Sequence, residues 1–237
     1  MFTLKHENSY GRLFSILFFA CIAIEVTAEM FSSKLLIYIF KPLISIGIMV
    51  LYWNASKVKT PLFFAIILLS MITNILFIPN TYELLIIALL VFMIHRILLI
   101  YYVIQLIKLE DYVPLLIAIV PFLFVFFYLL SISSDSSASG YFVLIIQNIL
   151  ISIVGGLALS EYVMNYNKMN TWLFIFGLLS VMQYFIVFIE KYYLMSLAPT
   201  AFRPLAMLLN ASVLYSFYRF IINAENVNNK ISALDND

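Results

Sequence analysis

The chain has 237 residues, 65% of them hydrophobic and 11% charged, with a net charge of +1 at pH 7 and one cysteine. Soluble domains are roughly half apolar and about a quarter charged, so this balance excludes a soluble globular fold and a basic nucleic-acid-binding surface. Cys21 stands alone inside an apolar run, which excludes an intramolecular disulfide and a thiolate metal site.

Apolar runs cover residues 13–31, 35–53, 61–78, 84–107, 113–132, 141–160, 171–189 and 201–222. Each is near the length of about 20 residues that a helix needs to cross a bilayer. The first run follows a short basic segment. It holds Glu25 and Glu29 and lacks a small-residue cleavage site, so it reads as a span rather than a removable leader. The breaks carry turn chemistry: polar residues at 54–59 and 165–170, the dipeptide Pro79-Asn80, and a Ser/Asp loop at 131–140. Residues 1–222 are thus expected to form a single transmembrane domain and 223–237, polar and Asn-rich, a flexible tail. The pattern predicts an all-α polytopic transmembrane helix bundle with about eight spans. No two halves match, so the inverted-repeat signature of many transporters is missing.

Basic residues of the short loops set the orientation. Lys5, Arg12, Lys57, Lys59, Lys108, Lys168, Arg219 and Lys230 fall on one side, and Lys34, Lys191 and Arg203 on the other. The bias, with an even number of spans, predicts that both termini are cytoplasmic.

The polar residues inside the runs carry the functional signal. Lys41 lies within an apolar helix, and a charge there costs a few kcal/mol unless it faces a protein interior and has a partner. Glu25 and Glu29, four residues apart, share a face of the first helix, and the hairpin brings them to the depth of Lys41. Asn74, Gln147, Asn148, Gln183 and Asn210 fall in the same outer half, with His95 and Arg96 near the middle of the fourth run. Together they suggest one polar cavity opening away from the cytoplasm. Plainer readings compete at each position. The acids and Lys41 also suit a structural ion pair, the amides suit interhelical hydrogen bonds, and His95 suits simple packing. Gly155, Gly156 and Gly177 suit close helix contact, and the many aromatics suit lipid-facing and interfacial positions, Tyr101, Tyr102, Tyr192 and Tyr193 as belts. No glycine-rich phosphate loop, GxSxG elbow or HExxH motif occurs.

Short motifs extend this reading. The second run carries Lys41-Pro42-Leu43, the third ends in Ser70-Met71-Ile72-Thr73-Asn74-Ile75-Leu76-Phe77, and the fourth reaches His95 after an apolar stretch. In these features the chain resembles the YhhN family of eight-span membrane proteins, whose characterised members are lysoplasmalogenases. The resemblance implies a bacterial inner membrane and an intramembrane pocket for a lysophospholipid, with no cofactor and no metal. It places Lys41, Asn74, Gln183 and Arg96 on the substrate and leaves His95, Glu25 and Glu29 as the acid/base groups. It also exposes a departure. The family's Ser-x-x-Gly-Asp and Ser-Asp carboxylates correspond to Asn74 and Gln183, and an amide does not donate a proton at a useful rate. Two expectations therefore stand side by side: a vinyl-ether hydrolase, or a catalytically inactive member that binds or senses a membrane lipid. A small-solute transporter is a third, weaker alternative.

Overall fold

The computed structural model describes residues 9–79, 81–107, 109, 111–132, 138–194, 197 and 199–234. Lys5, Asn80, Lys108, residues 133–137 of the Ser/Asp loop and residues 235–237 of the expected tail lie outside them, as does the side chain of Lys230. The described residues form eight α-helices and no strand: α1 (Ser9–Met30), α2 (Lys34–Ala55), α3 (Pro61–Leu76), α4 (Tyr82–Ile107), α5 (Tyr112–Ile132), α6 (Ala138–Met164), α7 (Lys168–Phe188) and α8 (Phe202–Leu234). A π-helical segment, Ile189–Leu194, prolongs α7. Seven helices are long and apolar enough to cross a membrane; α3, at 16 residues, is shorter than a full span.

Local chemistry explains the ends. Ser32 adopts a left-handed backbone (φ 52°) after α1, and the Ser33 N–H returns to the Ala28 carbonyl at 2.9 Å, closing the helix in the manner usual for a glycine. Pro61 opens α3, where its missing N–H costs nothing. The Asn167 side chain caps α7 by accepting from the Asn170 N–H at 2.8 Å.

Helices α1, α2, α3, α4, α6, α7 and α8 pack against one another in that order, and α8 returns against α1 and α2 to close a ring. Helix α5 packs on α6 and turns Leu116, Ile117, Val120 and Phe124 outward, the face a helix presents to lipid. Between lipid-embedded helices there is little hydrophobic drive, so close contact comes from small residues and buried polar groups. A Cβ on Gly156 would stand 3.1 Å from the Ile119 backbone of α5, and one on Gly177 would overlap Ala158 of α6. These glycines let α5, α6 and α7 approach, as expected.

Two expectations need correction. Many aromatics fill the core rather than facing lipid. Tyr52 stacks on Phe63 (centroids 3.9 Å apart), Phe63 on Phe217 (5.8 Å), and Phe217 meets Phe176 (5.2 Å) and Tyr102 (6.5 Å), all of them buried. Helix α8, moreover, does not stop at residue 222 but runs to Leu234 and buries Ala224 and Glu225. The reason is a polar cluster. Glu225 accepts hydrogen bonds from the Tyr52 hydroxyl (2.5 Å) and the Ser56 hydroxyl (2.7 Å). Those oxygens in turn accept from the Thr60 N–H (3.0 Å) and the Lys59 N–H (2.9 Å), so the end of α8 fixes the α2–α3 connection. Tyr52→Phe should leave a buried carboxylate oxygen and a backbone N–H unpaired. The expected loss is roughly 1–3 kcal/mol, read as a lowered unfolding temperature in detergent micelles.

Candidate functional site

A cavity of about 220 Å³ lies inside the ring and is lined by every helix except α5. Exposed Ser32, Lys34 and Arg203 mark its mouth at the α1–α2 end of the bundle. On α4 the lining residues Leu85, Leu89, Phe92 and Arg96 follow at helical spacing along one face, so Arg96 marks the depth of the cavity. Apolar wall comes from Ile37, Phe77, Leu144, Val187, Phe188 and Met207. Polar groups interrupt that wall: Ser70, Thr73 and Asn74 of α3, Gln183 of α7 and Asn210 of α8.

Lys41 meets Glu29 in a buried ion pair, Nζ to Oε1 3.1 Å. Side chains on a helix lean toward its N-terminus, so Lys41 reaches up α2 toward the turn where Glu29 sits. This corrects the expected partnership with both acids. Glu25 lies one turn deeper and is fully buried. It feels the charges of Lys41 and Glu29, yet neither of its oxygens has a hydrogen-bond partner among the described residues. It does not line the cavity.

Arg96 is held differently. One of its terminal nitrogens donates to the Gln147 backbone carbonyl (3.1 Å) and to the Gln147 side-chain oxygen (2.9 Å), and the Gln147 amide donates to the Leu89 carbonyl (2.9 Å). The guanidinium carbon lies 4.3 Å from the Phe92 ring centroid and 4.5 Å from that of Tyr184. The Tyr184 hydroxyl donates to Asn148 Oδ1 (2.6 Å), and the Asn148 amide donates to the Phe126 carbonyl (3.2 Å). Gln147 and Asn148 are therefore interhelical ties and support for Arg96, not cavity lining. At the third wall, the Gln183 amide donates to Asn210 Oδ1 at 3.1 Å. The Asn74 amide nitrogen, in contrast, is buried without an acceptor among the described residues.

Comparison with family models, with curated proteins and with solved structures finds no match for this chain.

Of the residues expected to form the site, Glu29, Lys41, Asn74, Arg96 and Gln183 share one cavity. His95 does not reach it. It lines a smaller space of about 40 Å³ next door, with Ser180 and with Ser70, Gln183 and Asn210, which face both spaces. Its ring stacks on Phe92 at 5.4 Å. Sequence reasoning counted Lys34, Lys191 and Arg203 only as loop charges and passed over Glu190, yet all four line the cavity. Glu190 accepts from Arg203 Nε at 3.1 Å. Two of them, Glu190 and Lys191, sit on the π-helical segment. Its wider turn brings the consecutive residues Glu190, Lys191 and Tyr192 to the lining, which a regular α-helix does not do for three neighbours. The sequence signal was present, an acid–base doublet interrupting an apolar run.

The Lys41–Glu29 pair generates a prediction. Lys41→Met should strand a buried carboxylate and cost about 3–5 kcal/mol. The double variant Lys41→Met/Glu29→Gln, which removes both charges, should recover most of that loss when thermal unfolding of the four proteins is compared as a double-mutant cycle.

Proposed function

We propose that the chain is a multi-pass membrane protein of the YhhN type that binds a single-chain anionic lipid, of the lysophospholipid class, without hydrolysing it. The observation that carries this reading is the lining. Among the described residues, Lys34, Lys41, Arg96, Lys191 and Arg203 face the cavity against two carboxylates, Glu29 and Glu190, over an apolar wall. An excess of positive charge beside hydrocarbon suits an amphiphile with an anionic group and one chain.

The acid/base requirement argues against hydrolysis. A vinyl ether opens when a proton reaches its double-bond carbon and water adds to the resulting cation, after which the hemiacetal collapses to an aldehyde and an alcohol. That proton needs an acid in contact with the ligand. Glu25 and His95 line no part of the cavity, positions 74 and 183 hold amides, and the two lining carboxylates, Glu29 and Glu190, are engaged by Lys41 and Arg203.

The orientation with both termini cytoplasmic, in a bacterial inner membrane, belongs to the same proposal. The basic residues that break the charge bias, Lys34, Lys191 and Arg203, all line the cavity, so each has a local reason to lie on the outer side. Helix α3 acts as a short eighth crossing between α2 and α4; its deficit in length is of the kind that local bilayer thinning accommodates.

Native mass spectrometry of the purified chain with a panel of 1-acyl lysophospholipids should show one bound lipid. The Lys191→Ala/Arg203→Ala variant should bind several-fold more weakly. Incubation with a lysoplasmalogen should release no aldehyde. Aldehyde release abolished by Glu29→Gln would establish the hydrolase instead, and a protein that retains no lipid of any class would end the lipid-binding reading.

A further inference from the structure

We infer that the Arg96 guanidinium is the anion-recognising point of the cavity, and that the ligand ends in an oxyanion, a phosphate monoester or a carboxylate, which enters first. The inference rests on the lipid-binding reading and specifies its chemistry.

The argument is one of charge compensation. Lys41 is matched by Glu29 and Arg203 by Glu190, each at 3.1 Å, and Lys191 lies within the field of Glu190. Lys34 is exposed at the mouth. Arg96 is 5% exposed, about 20 Å along α4 from Tyr82, and no carboxylate lies within ion-pair distance of it among the described residues. Its acceptors are two neutral oxygens of Gln147, and the Phe92 and Tyr184 rings shield it without neutralising it. A guanidinium cannot shed its proton to escape this cost, so a buried one calls for an anion. The side that can supply one is the cavity.

A second observation agrees. The Asn74 amide nitrogen, on a side chain 8% exposed that lines the same cavity, is a buried donor with no acceptor. Asn74 stands nearer the mouth than Arg96, and an oxyanion passing into the cavity offers acceptor oxygens to buried donors such as these, which a hydrocarbon chain does not. The anion is also terminal. A headgroup carrying an ammonium beyond its phosphate would set a second cation beside Arg96, where the Phe92 and Tyr184 faces already hold the guanidinium and the carboxylates of Glu29 and Glu190 are engaged by Lys41 and Arg203. The first methylenes behind the anion then lie along Leu85, Leu89, Val187 and Met207, with the chain leading back toward the mouth.

The test uses the full chain in detergent, titrated with 1-acyl lysophosphatidate, oleate, lysophosphatidylcholine and inorganic phosphate. Lysophosphatidate or oleate should bind roughly tenfold or more tightly than the zwitterionic lipid, and the stronger of the two identifies the oxyanion. Arg96→Met should weaken that ligand by about 10- to 100-fold, the range for one charge-assisted contact, while Lys168→Ala, at an exposed position that lines neither space, changes it less than about threefold. Should Arg96→Met fail to fold, Arg96→Gln, which can still bond Gln147, decides the matter. A folded Arg96→Gln protein with undiminished affinity overturns the Arg96 site and leaves the lipid reading standing. Equal affinity for lysophosphatidylcholine overturns the terminal oxyanion. If no lipid binds but inorganic phosphate raises the unfolding temperature of the native chain and not of Arg96→Gln, the anion site stands and the lipid reading falls. Binding of none of the four overturns both.

Discussion

A polar group that leaves water for a hydrocarbon surrounding keeps its hydrogen bonds only by finding partners inside the bundle. That constraint determines where the helices of this chain meet. Glu29 and Lys41 join α1 to α2, and Gln147 and Asn148 tie α6 to α4 and α5. Gln183 and Asn210 join α7 to α8, and Glu225 ties α8 to the α2–α3 connection. Each contact lies between elements that also pack through apolar side chains. The apolar surface is nearly indifferent to whether it meets lipid or protein, so the polar ties carry much of the choice of neighbour.

The bundle divides along its axis. Near the α2–α3 connection the interior is closed by stacked rings around Phe63 and Phe217, with Glu225 fully served by hydroxyls. Toward the α1–α2 turn the interior opens into the cavity, where charged and polar side chains interrupt the apolar wall and the π-helical segment prolongs α7. One end is thus a packed anchor and the other a cavity, which lets the cavity bear an uncompensated charge while stability is secured elsewhere.

Much of this was legible in the sequence. Apolar runs of about 20 residues separated by polar breaks mark helices strongly, and each of the eight runs coincides with a helix. The hairpin register was legible as well, since Glu29 and Lys41 sit at matching distances from the turn. Which acid Lys41 chooses was not, because it depends on the lean of a side chain rather than on spacing. The faces of the helices were illegible for a related reason. In a soluble helix the polar stripe marks the outside, but here both faces are apolar, so Phe63 and Phe217 in the core read the same as Phe124 toward lipid. The extension of α8 was hidden by composition. Residues 223–229 look like a tail until Tyr52 and Ser56 give Glu225 its partners.

Lys41 and Arg96 bring the two halves of the problem together. Both are cations within apolar helices, and from sequence Lys41 is the more conspicuous because it stands alone between apolar neighbours. In three dimensions their roles exchange. Lys41 has a carboxylate at 3.1 Å, so its charge is spent within the hairpin, whereas Arg96 has only neutral oxygens and ring faces. A protein that needed Arg96 for packing alone could place a neutral residue there at lower cost. Building a Gln147 brace and an aromatic shield around an unmatched guanidinium makes physical sense when the matching charge arrives with a ligand, because the charge is then presented in a fixed place before binding begins.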